Sequence, residues 1–232
     1  MFNNKKILAV ITARGGSKRL PNKNILDLGN KPLIAHTIVE AKKSKYIDKV
    51  IVSTDDDKIV EISKKYGAEV PFIRPAELSN DTADSISVLK HSIEFFNNEY
   101  DYIVLLQPTS PLRKTEDIDG AIELLNNDIE AVVSVCETEH SPLWANTLPV
   151  NKSMKDFIKE EVKNKRSQDL PTYYRLNGAI YVADIKYLYK LNGFIGEKTN
   201  AYVMSQKHSV DIDTELDFKL AEIIIESELN NI

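Results

Sequence analysis

The segment that most constrains this chain runs from Ile11 to Asn24 and reads ITARGGSKRLPNKN. It follows a short apolar run and breaks the apolar pattern abruptly. Two adjacent glycines, a serine, two arginines and two lysines stand close together in it. A strand that enters such a loop brings flexible backbone N–H groups and fixed positive charge to one place, which suits a polyphosphate. This segment, called the phosphate loop below, therefore predicts a phosphate site directly after the first strand.

The phosphate loop matches neither of two common phosphate fingerprints. The patterns G-x-x-x-x-G-K-[ST] and G-x-G-x-x-G are absent from the chain, so a P-loop ATPase and an NAD-dependent dehydrogenase are disfavoured. Backbone N–H groups near Gly15, Gly16 and Ser17 are instead expected to cradle phosphate oxygens. Arg14 and Lys18 are expected to neutralise a departing pyrophosphate. A solvated basic turn is the alternative interpretation.

Composition narrows the functional classes. The chain has 232 residues, 42% of them hydrophobic, which is enough for one large domain or one domain with a small insertion. A formal net charge of −5 disfavours a nucleic-acid binder, because nonspecific affinity for DNA or RNA depends on basic surface. The first apolar stretch is too short to span a membrane and lacks a cleavage site, so a cytoplasmic protein is expected. The single cysteine, Cys136, lies in an apolar run and is predicted to be buried.

Apolar strand patterns and helical patterns alternate along the chain. Strands are predicted at residues 6–12, 49–53, 70–73, 102–106 and 131–136, and helices at residues 32–43, 57–66, 85–96 and 115–125. Beyond an irregular inserted arm at about residues 140–175, strands are predicted at 178–182 and 201–204 and helices at 185–191 and 214–229. This order predicts an α/β fold with a parallel sheet covered on both faces.

Polar clusters follow four of the predicted strands. They read ARGGSK, STDD, RP and QPTSPLR in chain order. Ligands of such α/β sheets bind beyond the carboxyl ends of the strands. We therefore expect the four clusters to form one site at that edge of the sheet.

Six motifs carry a resemblance to a known family. ARGGSKRLPNKN, STDD, RPAELSNDTADS, LLQPTSPLR, RLNGAIY and SVDIDTELD follow one another from residue 13 to residue 217. In that order they resemble the acylneuraminate cytidylyltransferase family, the CMP-sialic acid synthetases and their bacterial CMP-nonulosonate relatives. The resemblance implies one cytidylyltransferase domain over residues 1–232, with a Rossmann-like three-layer fold, a mostly parallel sheet and an inserted dimerisation arm. It also implies a homodimer and the reaction of CTP with an acidic nine-carbon 2-keto sugar, with Mg²⁺, or Mn²⁺ in its place, as cofactor.

The resemblance assigns the nucleotide to two groups of residues. Those that would hold the triphosphate are Arg14, Ser17, Lys18, Lys23 and Asn24, with Arg14, Lys18 and Lys23 as the catalytic cations. Those that would hold the cytosine are Arg74, Ala83 and Ser85. Fixed cations are suited to this reaction, because attack on the α-phosphate builds negative charge on phosphate oxygens. The alternative for the second group is structural: Arg74 ends a strand, and a polar residue nearby caps a helix.

The acceptor sugar is assigned by resemblance to Gln107, Asn177 and Tyr181. A glutamine at the end of a strand is both donor and acceptor and suits a polyhydroxyl sugar, although a satisfied turn amide is the alternative. The family pattern places an arginine directly before Gln-Asp-Leu-Pro, where this chain has Ser167. Arg166 precedes it, so either Arg166 serves the sugar carboxylate, which suits a bidentate arginine, or the acceptor is held differently.

Asp211 and Asp213 are the predicted metal ligands. In an extended segment alternate side chains point to one face, so both carboxylates can reach one site. Mg²⁺ is bound by one or two carboxylates together with phosphates and water. The alternative is an acidic helix N-terminus.

Two other functions stay open at this stage. One is a cytidylyltransferase for the eight-carbon sugar Kdo, although such relatives have a different first loop without Gly-Gly-Ser-Lys. The other is a catalytically silent nucleotide-binding module, against which Lys18, Asp211 and Asp213 argue. The residues identify no general base.

Overall fold

The protein is described by a computed structural model that covers residues 1–230, with side chains described for residues 1–228. Its strands are β1 (Ile7–Thr12), β2 (Asp27–Leu28), β3 (Lys31–Pro32), β4 (Lys49–Ser53), β5 (Tyr102–Leu106), β6 (Ala131–Glu137), β7 (Tyr174–Asp184) and β8 (Thr199–Met204). Its helices are α1 (Leu33–Lys43), α2 (Asp57–Lys65), α3 (Ser85–Phe95), α4 (Thr115–Glu123), α5 (Ile185–Leu191) and α6 (Glu215–Asn230). The predicted helices are all present, and their ends differ from the predicted ones by at most two residues.

A six-stranded sheet in the order β4-β1-β5-β7-β6-β8 forms the centre of the fold. β1 runs parallel to β4 and β5, and β6 runs parallel to β8, whereas β7 is antiparallel to both of its neighbours. The prediction of a mostly parallel sheet is confirmed. Because β7 is reversed, it begins at the edge where β1 and β5 end, and Ile180 pairs with Leu106.

The predicted strand at residues 70–73 is wrong. In its place stand two isolated bridges, Ile51 with Glu69 just before the segment and Thr54 with Ile73 at its end. Pro71 lies between the bridges and has no backbone N–H, so a continuous ladder cannot form there. The sheet therefore ends at β4, although Arg74 still lies beside the end of that strand, with its N–H donating to the Thr54 carbonyl at 2.7 Å.

Helices cover both faces of the sheet. Because β5 is apolar at every position, Val104 and Leu106 pack into one core with α1, α2 and α4, while Ile103 and Leu105 pack into a second core with α3 and α5. Burial on both faces is typical of strands in parallel sheets. Cys136 is buried, as predicted.

A third, smaller core connects the last helix to the sheet edge. Leu28, Leu112, Ile212 and Ala221 are buried together in it. The Ile212 N–H donates to the Thr109 carbonyl at 2.8 Å. These contacts hold the segment before α6 against the end of β5, and so position the aspartates on either side of Ile212.

Residues 138–173 separate β6 from β7 as an irregular segment. Its regular structure consists of the 3-10 helices Pro142–Trp144 and Ser167–Asp169. Leu148, Val150 and Met154 are exposed on it. Across the described residues, no helix has the length and apolar character needed to cross a bilayer.

Candidate active site

Two adjoining cavities lie at the carboxyl edge of the parallel strands. The larger has a volume of about 530 Å³ and is lined by Thr12, Arg14, Ser17, Lys18, Arg19, Lys23, Asn24, Gln107, Pro108, Thr109, Asp211 and Asp213. The smaller has a volume of about 210 Å³ and is lined by Thr12, Arg14, Arg74, Leu78, Asn80, Asp81, Ala83, Asp84, Ser85 and Val88. Because Thr12 and Arg14 line both, a ligand of nucleotide size can extend from one into the other. The two cavities together contain every predicted nucleotide and metal residue.

Side chains hold the phosphate loop in its curved conformation. Asn24 donates from Nδ2 to the Arg14 carbonyl at 3.1 Å, and the Gly15 N–H donates to Asp55 Oδ1 at 3.0 Å. A Cβ atom on Gly15 would lie 2.6 Å from Asp56 Oδ2. The polar residues that follow β4 therefore leave room only for a glycine at this position. Asp55 already accepts the hydrogen bond of the Gly15 amide, so a phosphate would have to replace that carboxylate, and the contact of this amide with phosphate stays a prediction.

The loop cations are paired with two aspartates. Arg14 Nη1 and Lys18 Nζ contact Asp81 at 3.0 and 2.5 Å. Arg19 Nη1 and Lys23 Nζ contact Asp213 at 2.7 and 3.1 Å. Lys23 is the buried member of the group and also donates to the Ile212 carbonyl at 2.6 Å. Positive charge is therefore concentrated on one wall, but each cation already has a carboxylate partner that a phosphate would have to replace.

Asp211 and Asp213 both line the larger cavity. The side chain of Asp211 is exposed to this cavity. Desolvation by the surrounding protein and the nearby charge of Asp213 nevertheless raise the pKa of the Asp211 carboxyl group. A hydrogen bond from Thr109 opposes this shift but does not outweigh it. Two carboxylates that repel each other in a concave wall are suited to a divalent cation, which relieves the repulsion. Within residues 1–228, no group of three or more His, Cys, Asp or Glu residues could hold a metal ion, so phosphates or water would have to complete the coordination.

Replacing Asp211 with asparagine is expected to raise the Tm of the metal-free protein at pH 7. The pKa of Asp211 is higher in the folded than in the unfolded state, so ionisation lowers stability as pH rises through the raised pKa. The gain should shrink as pH falls and should vanish well below pH 3.8, the ordinary pKa of an aspartate, where the carboxyl is protonated in both states. Differential scanning calorimetry in EDTA across this pH range measures it.

Asp217→Asn is the matched control, with an effect of opposite sign. Although burial raises the pKa of Asp217, hydrogen bonds from Thr214 and from the Asp213 N–H outweigh it and lower the pKa. Loss of that carboxylate should lower the Tm at pH 7. An Asp211→Asn variant less stable than wild type at pH 7 would contradict the assigned pKa direction.

Arg74, Ala83 and Ser85 line the smaller cavity together, as predicted. The Arg74 guanidinium is buried and donates to the hydroxyl and the carbonyl oxygen of Ser53 at the end of β4. Burial lowers the pKa of Arg74 to about 10, while Asp55 opposes this shift. The arginine is therefore charged at neutral pH and held rigidly, and a small planar ligand would meet it beside the small side chains of Ala83 and Ser85.

Gln107 directly follows β5 and lines the larger cavity, beside Gly178 of β7. Gly178 has a φ of +75°, and a Cβ atom there would lie 3.0 Å from Gln107 Oε1 and 3.9 Å from Asp211 Oδ2. A side chain at Gly178 would therefore be strained and would crowd the glutamine. Behind it, the buried Arg113 donates to the carbonyl of Ala179 at 2.7 Å and contacts the carbonyl of Gln107 at 3.4 Å.

Asn177 does not reach either cavity, which corrects its predicted contact with a sugar. Its Oδ1 accepts from the Ser134 hydroxyl at 2.6 Å and from the Ala179 N–H at 3.2 Å. Its Nδ2 donates to the Ser209 hydroxyl at 2.9 Å and contacts the Met204 sulfur at 3.2 Å. All hydrogen-bonding positions of the buried amide are used, so Asn177 connects β7 to Ser134 of β6 and to Ser209.

The other two predicted sugar residues also lie outside the cavities. Tyr181 packs into the second core, with the centre of its ring 5.2 Å from that of the Phe194 ring. Burial and the charge of Asp211 raise the pKa of the Tyr181 phenol. Arg166 is exposed on the irregular segment between β6 and β7, where its Nε lies 3.0 Å from Asp169 Oδ2. Their contacts with a sugar stay predictions.

Several cavity residues were not predicted as site residues. Thr109 and Asp81 lie within motifs that were read for other positions, QPTSPLR and RPAELSNDTADS. Arg19 is predicted to contribute positive charge to the phosphate loop, without an assigned contact. Thr12 and Val88 belong to a strand end and a helix face that carry no chemical signal in the sequence. The motifs could therefore have identified the first three but not the last two.

Residues 8–229 match the family model described as Cytidylyltransferase. The chain is 40% identical over 231 residues to the CMP-N,N'-diacetyllegionaminic acid synthase of Legionella pneumophila, with 95% of this chain and 97% of that protein covered. It is 35% identical over 223 residues to the pseudaminic acid cytidylyltransferase of Campylobacter jejuni, with 94% and 96% covered.

A solved structure shares the fold. A CMP:2-keto-3-deoxy-manno-octonic acid synthetase complexed with CTP superposes with a TM-score of 0.72 at 18% identity, over 96% of this chain and 99% of that chain. At that identity the likeness concerns the fold alone, a Rossmann-like nucleotidyltransferase fold.

Proposed function

Because the chain belongs to the cytidylyltransferase family, we propose that it transfers CMP from CTP to the anomeric hydroxyl of an acidic nine-carbon 2-keto sugar and releases pyrophosphate. The observation that carries the proposal is the larger cavity, which joins the cations of the phosphate loop to Asp211, Asp213 and Gln107. The names of the two relatives, which specify legionaminic and pseudaminic acid, support an acceptor of this class. The cytoplasm is the proposed location, because CTP is made there.

In this proposal CTP occupies both cavities. Arg74, Ala83 and Ser85 hold the cytosine in the smaller cavity. Arg14 lines both cavities and lies where the phosphates would extend into the larger cavity. There Ser17, Lys18, Lys23 and Asn24 bind the phosphate oxygens. Arg14, Lys18 and Lys23 stabilise the negative charge that develops as the bond to pyrophosphate breaks.

The acceptor would lie beside Gln107, whose amide can donate to and accept from sugar hydroxyls. Its anomeric hydroxyl attacks the α-phosphate and loses its proton to water. A new P–O bond forms as the bond between the α-phosphate and its bridging oxygen breaks, and pyrophosphate departs with that electron pair. A nucleophilic side chain is not needed, because the sugar hydroxyl is itself the nucleophile and has only to be oriented. Tyr181 and Arg166 are the further proposed sugar contacts.

Asp211 and Asp213 are the residues that would hold Mg²⁺, or Mn²⁺ in its place. The donor set fits, because two carboxylates together with substrate phosphates and water are a usual Mg²⁺ environment. When bound, the ion supplies Lewis-acid stabilisation of phosphate charge. Lys23 donates to Asp213 and to the Ile212 carbonyl, and so orients the carboxylate towards the cavity.

We also propose a homodimer formed through the β6–β7–β8 end of the sheet. Leu176 and Val203 flank Val135 on neighbouring strands and are both more than half exposed, as is Tyr174. An exposed row of apolar side chains across three strands is typical of a protein interface. The exposed apolar residues of the irregular segment would extend the same interface.

Val203→Glu is therefore expected to convert the dimer to a monomer, because it buries a charge at the interface. Size-exclusion chromatography with light scattering measures the mass. Ile223→Glu, which places the same charge at a similarly exposed position on α6, should leave the dimer intact. A monomeric wild-type protein, or a dimeric Val203→Glu variant, would contradict the proposed interface.

The test of function is pyrophosphate release from CTP and Mg²⁺ with a panel of acceptors. Legionaminic, pseudaminic and sialic acids and Kdo are supplied separately, with ATP, GTP and UTP as nucleotide controls. The proposal expects release with CTP and at least one of the nine-carbon acids. Turnover with Kdo alone would establish the eight-carbon alternative. CTP binding without turnover on any acceptor would indicate a silent nucleotide-binding module.

A further inference from the structure

Asp81 lines the smaller cavity and contacts two cations that line the larger one, Arg14 and Lys18. One of its carboxylate oxygens accepts from Arg14 Nη1 at 3.0 Å and the other from Lys18 Nζ at 2.5 Å. The same Arg14 nitrogen also donates to the Asn80 carbonyl at 3.1 Å. One carboxylate therefore engages two of the three cations to which the proposed function assigns the departing pyrophosphate.

The loop that carries Asp81 does not need this carboxylate for its own conformation. Asn80 Oδ1 accepts from the N–H groups of Thr82 and Ala83, each at 2.9 Å. Asp84 accepts from the Ser87 N–H at 2.8 Å and so caps α3. The turn is thus held on both sides of Asp81, whose side-chain partners among residues 1–228 are Arg14 and Lys18.

The Asp81 pairs are suited to exchange. The side chains of Asp81 and Lys18 are 52% and 75% exposed, and exposed ion pairs are weak because water screens them. A polyphosphate offers more charge and more acceptor oxygens than one carboxylate. Hydrogen bonds from Lys18 and Arg14 lower the pKa of Asp81, so the carboxylate is ionised at neutral pH and competes there with phosphate for both cations.

We propose that Asp81 is a displaceable counter-ion of the phosphate loop: the phosphates of CTP replace it on Arg14 and Lys18, and it returns to both cations when pyrophosphate leaves. The inference rests on the function proposed above and adds a residue that sets the balance between CTP binding and product release. Asp81 acts through Arg14 and Lys18 and is a positioning residue. The effect of Asp81 on ligand affinity should increase with the number of phosphates that reach those cations. The affinity for cytidine, which has no phosphate, should not depend on Asp81.

The test compares ligand affinities of wild type, Asp81→Asn and Glu77→Gln by isothermal titration calorimetry at fixed Mg²⁺. The ligands are cytidine, CMP, CTP and pyrophosphate. Asp81→Asn should tighten the binding of CTP and pyrophosphate by about 3- to 30-fold, because two exposed ion pairs and one repulsive charge are removed. The gain for CMP should be smaller, and cytidine should be unchanged. All gains should shrink at high ionic strength.

Glu77→Gln is the matched control. It removes one negative charge from the same segment, and its carboxylate has no ion pair in the described part of the chain. It should leave all four affinities within about twofold of wild type, as expected for a distant screened charge. In steady-state assays, Asp81→Asn but not Glu77→Gln should show stronger inhibition by pyrophosphate.

Weaker binding of CTP and pyrophosphate to Asp81→Asn would overturn the inference, because Asp81 would then hold the cations in their ligand-binding positions. An equal change for cytidine would also overturn it and would indicate damage to the base cavity. Asp81→Ser should reproduce the result, which separates loss of charge from an effect of the new amide. If wild type binds CTP and Asp81→Asn binds it equally, only this inference fails. If wild type does not bind CTP, the proposed function fails.

Discussion

Asp213→Asn is expected to abolish Mg²⁺-dependent release of pyrophosphate from CTP, with kcat/KM reduced on the order of 10³-fold or more. Asparagine keeps the shape of the side chain but loses the charge that would hold a divalent cation. It also removes the partner of Arg19 at 2.7 Å and of Lys23 at 3.1 Å. Pyrophosphate release measured across a Mg²⁺ titration distinguishes weakened metal binding from a defect that high Mg²⁺ cannot correct.

Glu215→Gln provides the matched control for this variant. Glu215 lies two residues further along the chain, and its ion pair is with Lys219 on the same helix. Its replacement removes the same charge near the same site without touching the cavity, so turnover should stay close to wild type. Unchanged pyrophosphate release in Asp213→Asn would place the metal on other residues.

Lys18→Ala is expected to lower kcat/KM by roughly 10²-fold or more, by analogy with the loss of one donor that stabilises transition-state charge. Lys18 lines the larger cavity and is mostly exposed, so its removal deletes a charge without disturbing a core. Stability should therefore be unaffected, and a thermal melt of the variant checks this. Steady-state kinetics at several CTP concentrations measure the effect on kcat and KM separately.

Lys65→Ala is the control for loss of a lysine. Lys65 is exposed at the end of α2 and lines neither cavity, so its replacement should leave turnover unchanged. Near-native turnover in Lys18→Ala would refute the role assigned to the phosphate loop. A smaller effect of Asp81→Asn in the Lys18→Ala background than in wild type would support the counter-ion role of Asp81, because one of its two partners would already be missing.

Local patterns in the sequence predicted most of the fold. The ends of β4 and β5 agree with the predictions because each strand is a continuous apolar run between charged or turn residues. The helix predicted at residues 57–66 is observed as Asp57–Lys65 and is followed by Gly67, which has a φ of +88°, a conformation that glycine adopts readily. The failed strand at residues 70–73 has a local cause too, because Pro71 cannot donate to a ladder.

The candidate site was predicted unevenly. Residues that follow the ends of β1 and β5, such as Lys18 and Gln107, meet in one cavity because parallel strands end at the same edge of a sheet. The sugar contact of Asn177 could not be judged from the sequence. Whether an amide faces a cavity or is fully bonded inside depends on partners such as Ser134 and Ser209, which are distant in the chain.

The sequence by itself determined that this chain forms a layered α/β sheet and that the phosphate loop follows its first strand. It could do so because strand periodicity, glycine placement and charge density are properties of neighbouring residues. Only the tertiary structure decided which carboxylate each loop cation meets: Asp81 for Arg14 and Lys18, and Asp213 for Arg19 and Lys23. Lys23 and Asp213 lie at opposite ends of the chain, and only the packing of α6 against the sheet edge brings their charges within 3.1 Å.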